Sequence, residues 1–145
     1  METTNVSVNE KRAFSEKEIY DFLGKVNWDK KWMDGMIPVI AQDVNTREVL
    51  MQAYANKEAF ANTLRSGNAT YWSRSRNELW EKWLTSWATQ RVYNIKIDCD
   101  RDCIIYIIEQ LWEVWACHIQ WQNSCFETDS IRLRENIKKN VESLL

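Results

Sequence analysis

Glycine is nearly missing from this chain. Three occur in 145 residues, where an average usage of about 7% gives roughly ten, and tryptophan by contrast occurs nine times. No apolar run approaches the length of a membrane span, and the polar residues 1–10 lack the apolar core of a signal peptide. No membrane partner is expected, and a cytoplasmic protein is. Excess positive charge is missing too. The formal net charge is −2 with 28% charged residues, so no global basic field favours nucleic acid as a partner, and any anion must be held by local charge. Repeats and low-complexity tracts are absent, and 145 residues suit one domain around one core. Histidine occurs once and cysteine four times. In a reducing compartment those thiols point to metal ligands, catalytic groups or buried side chains rather than disulfides.

Periodicity divides what remains. Residues 1–13 are polar and aperiodic and read as a mobile tail. Ser15 looks like an N-cap, with Glu16 and Glu18 in the first turn of a short helix that carries Ile19, Phe22 and Leu23 on one face and ends at Gly24. Ile37-Pro-Val-Ile-Ala41 and Val49-Leu-Met-Gln-Ala-Tyr54 read as two strands of a hairpin around residues 44–48. A helix over Lys57 to Ser66 is stopped by Gly67. Tyr71-Trp72, then Gln90 to Ile97, then Ile104 to Ile108 are strand-like. Residues 127–145 read as a C-terminal helical extension, with the helix from Asp129 onward. The expected architecture is a strand-rich α+β domain over residues 14–126.

The chemistry is concentrated in residues 94–126. The run Asn94-Ile-Lys-Ile-Asp-Cys-Asp-Arg-Asp-Cys103 holds three acids at alternate positions. If extended, it would place Asp98, Asp100 and Asp102 on one face and Cys99 on the other. Three close carboxylates repel unless a cation or protonation relieves them, so they form either a hard-cation site of the magnesium type or a solvated acidic turn. Asp98, Asp100, Asp102 and Glu109 also match the first, third, fifth and twelfth positions of an EF-hand loop. That reading fails because Cys103 occupies the position needing glycine and the flanks are β-branched. Downstream, Ala116-Cys-His-Ile-Gln-Trp-Gln-Asn-Ser-Cys-Phe126 sets two thiols either side of a turn. Cys99, Cys117 and Cys125 could supply three zinc ligands and leave a fourth position for water, or could be buried as small hydrophobes. Cys103 lies roughly 13 Å beyond Cys99 on an extended strand and reads as core. His118 is either a proton-transfer group or a structural side chain. Ser73, Arg74, Ser75 and Arg76, followed by Lys82, Thr85, Ser86 and Gln90, suit phosphate recognition or a solvated strand edge. Tyr71, Trp72 and Trp80 could stack on a base or pack in the core.

Read together, Asp98-Cys-Asp-x-Asp102, Glu109-Gln110, Ala116-Cys-His118 and Ser124-Cys-Phe126 resemble the phosphoribosyl-AMP cyclohydrolase family of histidine biosynthesis. The resemblance continues upstream through Asp34-Gly35, Ala41-Gln-Asp43, Glu48-Val-Leu-Met51, Ala53-Tyr54 and Tyr71-Trp-Ser-Arg-Ser-Arg76, in order over residues 34–126. It implies a barrel-like mixed-sheet body forming an intertwined homodimer. Zinc would be held by Cys117 and Cys125 with Cys99 from the other subunit, and magnesium by Asp98, Asp100 and Asp102. The substrate would be a nucleotide carrying two phosphoryl groups, contacted by the Ser73–Gln90 set above. Zinc-activated water would open its adenine ring while His118 shuttles protons. The nucleobase-deaminase signature His-x-Glu with Pro-Cys-x-x-Cys is absent.

The chain departs from the family at pointed places. Relatives usually carry glycine at the positions of Trp83 and Trp87, around Trp112 and Trp115, in the loop holding Trp121, and at Arg101. The Cys117–Cys125 loop is also one residue longer than usual. Indoles at close-approach positions would block substrate, which leaves two readings. One is a catalytically inactive, zinc-stabilised dimeric binding module of the same fold. The other is that UGA codons have been written as tryptophan where the organism reads glycine.

Overall fold

The computed structural model describes residues 11–30, 33–81, 89–111, 117 and 122–135. Along them lie α1 (Glu16–Leu23), β1 (Ile37–Asp43), β2 (Val49–Ala55), α2 (Lys57–Ser66), β3 (Thr70–Ser73), β4 (Glu78–Glu81), β5 (Gln90–Ile97) and β6 (Ile104–Gln110). This is the expected strand-rich α+β arrangement, with two helices. Local sequence explains both. Ser15 Oγ accepts from the Glu18 N–H at 3.1 Å while the Glu18 carboxylate accepts from the Ser15 N–H at 3.2 Å, a reciprocal cap that satisfies two of the helix's open donors. In α2, Asn56 Oδ1 accepts from the Ala59 N–H at 2.9 Å. Gly67 ends that helix at φ 78° by donating to the Thr63 carbonyl, a left-handed geometry that side chains resist.

Four strands form one open sheet in the order β2-β1-β6-β5, and β3 pairs with β4 separately. β1 with β2 and β5 with β6 are antiparallel, whereas the central pair β1 and β6 is parallel. Alternation decides the faces. Ile37, Val39 and Ala41 of β1 and Ile104, Tyr106 and Ile108 of β6 are buried in one core with Ala59, Phe60 and Leu64 of α2, while the intervening Ile40, Ile105 and Ile107 are only half-buried. The β3–β4 hairpin closes over the core, with the Tyr71 ring 5.8 Å from that of Tyr106 and 5.3 Å from that of Trp80.

Two expectations change. The sheet does not close into a barrel among the described residues, because its two edges are occupied locally. The β2 edge receives the Cys125 N–H on the Leu50 carbonyl, and at the start of β5 the Gln90 carbonyl accepts from the Ala69 N–H while the Val92 N–H donates to the Gly67 carbonyl. The C-terminal helix is not present over residues 129–135, where Ile131 and Leu133 stand two apart and exposed. That spacing gives no common helical face. Residues 136–145 and 1–10 lie outside the described residues.

Candidate active site

The acid run is a turn, not a strand. β5 ends at Ile97 and β6 begins at Ile104, and between them the Asp98 N–H donates to the Cys103 carbonyl and the Arg101 N–H to the Asp98 carbonyl. Asp98 Oδ1 also accepts from the Asp102 N–H at 3.0 Å, the local bonding by which an aspartate folds its own backbone. Arg101 adopts φ 62°, which breaks the alternation on which opposite faces for the aspartates and Cys99 would depend. The outcome differs from the extended reading for that reason. Lys30 Nζ sits 3.1 Å from Asp102 Oδ2. This ammonium, then the Asp98 side chain, holds the Asp102 carboxyl below the usual carboxylate value. Burial, then the charges of Asp98 and Asp102, push the Cys103 thiol up. Cys99 is exposed, with its Sγ 3.8 Å from Asp100 Oδ1.

The second thiol group lies elsewhere. Ser124 Oγ donates to the Val49 carbonyl at 2.6 Å and Asn123 Nδ2 donates to Glu48 Oε1 at 2.7 Å, and together with the Cys125 N–H they fasten this loop to the start of β2. Gln122 Nε2 reaches Cys117 Sγ at 3.6 Å while its Oε1 accepts from Thr128 Oγ1 at 2.9 Å. The threonine thus holds the Gln122 amide with its donor end toward the sulfur. Cys117 is buried and Cys125 exposed.

These two groups occupy opposite ends of the sheet. Val49 pairs with Gln42 and Ile104 with Val39, so the thiol loop sits where β1 ends and the acid turn sits beside the strand's first half. Gln42 also pairs with Ile107, so the run of β6 between the two levels, from Ile104 to Ile107, spans about 10 Å at roughly 3.3 Å per residue, and Cys99 lies further back still, in the turn before β6. Zinc–sulfur bonds of about 2.3 Å require the sulfurs to be about 4 Å apart. Cys99 therefore cannot join Cys117 and Cys125 of its own chain. Consistently, no three Cys, His, Asp or Glu side chains among the described residues of one chain form a metal-holding group.

The third group is the tip of the β3–β4 hairpin. Arg74 Cζ lies 4.7 Å from the centre of the Tyr54 ring, Arg76 pairs with Glu78 at 3.4 Å, and the Arg76 N–H donates to Ser73 Oγ at 3.3 Å. Ser75 Oγ is 3.5 Å from Ser73 Oγ. Gln90 is not at the surface. It is buried, accepts from the Tyr71 hydroxyl, and donates to Met51 Sδ and Gln110 Oε1, each at 3.3 Å. Lys82, Thr85, Ser86 and His118 lie outside the described residues. A cavity of about 700 Å³ bounded by Phe22, Lys25, Phe60 and Ile95 holds none of the predicted site residues. Sequence spacing offers no signal for Lys30 or Gln122, while Ser124 and Gln110 stand in the quoted motifs without a role.

Residues 51–127 match the family model described as phosphoribosyl-AMP cyclohydrolase. The chain belongs to the phosphoribosyl-AMP cyclohydrolase family. Among curated members, one from Archaeoglobus fulgidus is 50% identical over 112 residues, covering 74% of this chain and 98% of the relative. One from Methylobacillus flagellatus is 42% identical over 126 residues, covering 85% and 94%. One from Cereibacter sphaeroides strain KD131 is 53% identical over 108 residues, covering 74% and 86%. The family match takes in the hairpin tip, the acid turn and the thiol loop together, although one chain holds the last two apart. No helix among the described residues is long and apolar enough to cross a membrane.

Proposed function

We propose that this protein is a cytoplasmic hydrolase of histidine biosynthesis that opens the adenine ring of phosphoribosyl-AMP, working as a homodimer whose zinc sites are shared between subunits. One observation carries the reading: the three family thiols are split between opposite ends of the sheet, so only a second copy can complete the set. The half-buried face of Ile40, Ile105 and Ile107 supplies apolar surface for that second copy, and the barrel-like body that the family implies is assigned to the dimer.

The zinc donors come together only in this arrangement, whereas the three aspartates of one chain would have to draw together around their ion. Cys117 and Cys125 of one chain with Cys99 of the other would hold zinc, and Asp98, Asp100 and Asp102 supply the oxygen donors that magnesium prefers. Zinc bound by these thiols would supply Lewis-acid activation of a water molecule near neutral pH. This chain's own residues do the rest. Gln122 orients against the Cys117 sulfur, and the turn around Arg101 leaves Cys99 exposed. Arg74 and Arg76, at the hairpin tip with Ser73 and Ser75, would exchange their contacts with Tyr54 and Glu78 for phosphoryl oxygens held bidentately. Lys82, Thr85 and Ser86 are assigned to the same nucleotide, and His118 moves the proton from attacking water to the departing ring nitrogen.

The tryptophans at family glycine positions and the lengthened thiol loop favour a second reading, an inactive zinc-stabilised dimeric binding module. Ring opening of phosphoribosyl-AMP, followed by ultraviolet absorbance with and without chelator, separates the two. Turnover lost to chelator and restored by zinc supports the hydrolase. A folded, zinc-loaded dimer without turnover supports the module.

A further inference from the structure

At the thiol-loop end of the core, polar side chains form a short chain with one loose end. The Tyr71 hydroxyl donates to Gln90 Oε1, and Gln90 Nε2 donates to Gln110 Oε1 at 3.3 Å. Gln90 and Gln110 face each other across β5 and β6, and Gln110 Nε2 is buried with no hydrogen-bond partner among the described residues. Leaving a buried amide donor unpaired is costly, and such groups in native proteins ask for a reason.

The chain of bonds determines which end is loose. Gln90 Nε2 lies 3.3 Å from Met51 Sδ, and a thioether sulfur can only accept, which sets the Gln90 amide toward Met51 and Gln110 and its carbonyl toward the Tyr71 hydroxyl. The Gln110 carbonyl is thereby taken, and only its NH₂ is left over. Turning Gln110 about would set donor against donor. The position is also suggestive. Gln90 Nε2 touches Met51 Sδ at 3.3 Å, and the neighbouring Leu50 carbonyl accepts the Cys125 N–H at 2.7 Å. The chain of amides thus runs toward the strand to which the thiol loop is fastened.

We propose that Gln110 is a substrate contact whose Nε2 donates to a ring nitrogen of the purine, and that Gln90 and Tyr71 are positioning residues that hold it in the donating orientation. Gln90 on this account acts through Gln110 and does not touch substrate itself. The inference rests on the hydrolase reading, and its role is selection of the base: a site built around a fixed donor rejects ligands lacking the matching acceptor.

The test compares the full-length wild type, Gln110→Leu, Gln110→Glu and Gln90→Leu on phosphoribosyl-AMP and on its 3-deaza and 7-deaza analogues, each of which lacks one acceptor nitrogen. Circular dichroism checks folding, and the Glu variant, which keeps the acceptor for Gln90, serves if Leu fails to fold. Wild type should prefer the natural substrate over one of the two analogues by roughly 10- to 100-fold in kcat/KM. Gln110→Leu and Gln110→Glu should lose a similar factor on the natural substrate and show no preference between it and that analogue. Gln90→Leu should lose less of both. Unchanged kcat/KM in the folded Gln110 variants overturns the proposal, as does a loss that leaves the analogue preference intact, which would mark a structural role. A wild type that opens no ring overturns instead the activity on which the inference rests.

Discussion

Arg101 offers a clean test of how backbone geometry is distributed around the acid turn. Its φ is 62°, in the left-handed region where a Cβ costs about 1–2 kcal/mol. Glycine there removes that strain but adds about 0.4–1 kcal/mol of unfolded-state entropy to be lost on folding. The net expectation for Arg101→Gly is a gain of about 0.5–1 kcal/mol. No side-chain loss offsets it, because the guanidinium is exposed and makes no hydrogen bond or ion pair among the described residues. The backbone bonds to Asp98 and from Asn27 remain available. With an unfolding entropy of about 2.1 cal/mol/K per residue, a chain of this length shifts its Tm by roughly 2–3 °C upward. Thermal unfolding at fixed protein concentration measures it. Lys96→Gly is the control: it is exposed within β5 and not left-handed, so glycine should lower the Tm there. A fall in Tm for Arg101→Gly, or equal behaviour of the two variants, would refute the argument.

Alkaline pH should expose the two buried phenols. Burial raises the pKa of Tyr71 and Tyr106 in the folded state, so their contribution is full below the unfolded value near 10 and is lost as pH rises above it. The loss is up to about 1.4 kcal/mol per pH unit for each phenol, and Tyr106→Phe should make the decline measured by denaturant unfolding visibly shallower. An unchanged slope contradicts the assignment. Ser124→Ala should destabilise by about 1–3 kcal/mol, because Ser124 is buried and its hydroxyl both donates to Val49 and accepts from the Phe126 N–H; zinc affinity should fall with it, and a variant equal to wild type in both would sink the stapling role. The tryptophans divide in two. Trp28 is buried, donates Nε1–H to the Leu23 carbonyl at 2.9 Å and packs 5.8 Å from Phe60, and Trp80 packs on Tyr71; with Trp72 these should prove genuine. Trp32, Trp83, Trp87, Trp112, Trp115 and Trp121 lie outside the described residues. They should prove to be UGA codons read as glycine, which would raise the glycines from three to nine; UGG codons or tryptophan-containing peptide masses at Trp83, Trp87 and Trp115 would end the idea.

Local signals were legible where chemistry and backbone agree. Ser15 with Glu18, and Gly67 at the end of the second helix, marked both described helices, because caps act within four residues; the Asn56 cap was seen only in the structure. The alternation of Ile37 to Ala41 and Ile104 to Ile108 marked the core strands. Asp98 to Asp102 misled, because alternation of letters says nothing about φ, and a left-handed Arg101 converts the run into a turn. Gln90 was identified as a polar residue near a phosphate-like cluster, yet pairing with β6 and closure by Tyr71 bury it; both contacts are non-local and leave no trace in spacing. The separation of Cys99 from Cys117 and Cys125 is of the same kind, since it follows from the parallel pairing of β1 with β6.

Subunit complementation tests the shared site most directly. Cys99→Ala chains and Cys117→Ala chains, each purified as folded dimers without zinc or turnover, are unfolded together and refolded as an equal mixture. Each heterodimer then carries one site with all three thiols and one lacking two, so random pairing should return about a quarter of wild-type zinc and ring-opening activity. Mixing that restores neither, although heterodimers form, would contradict the account.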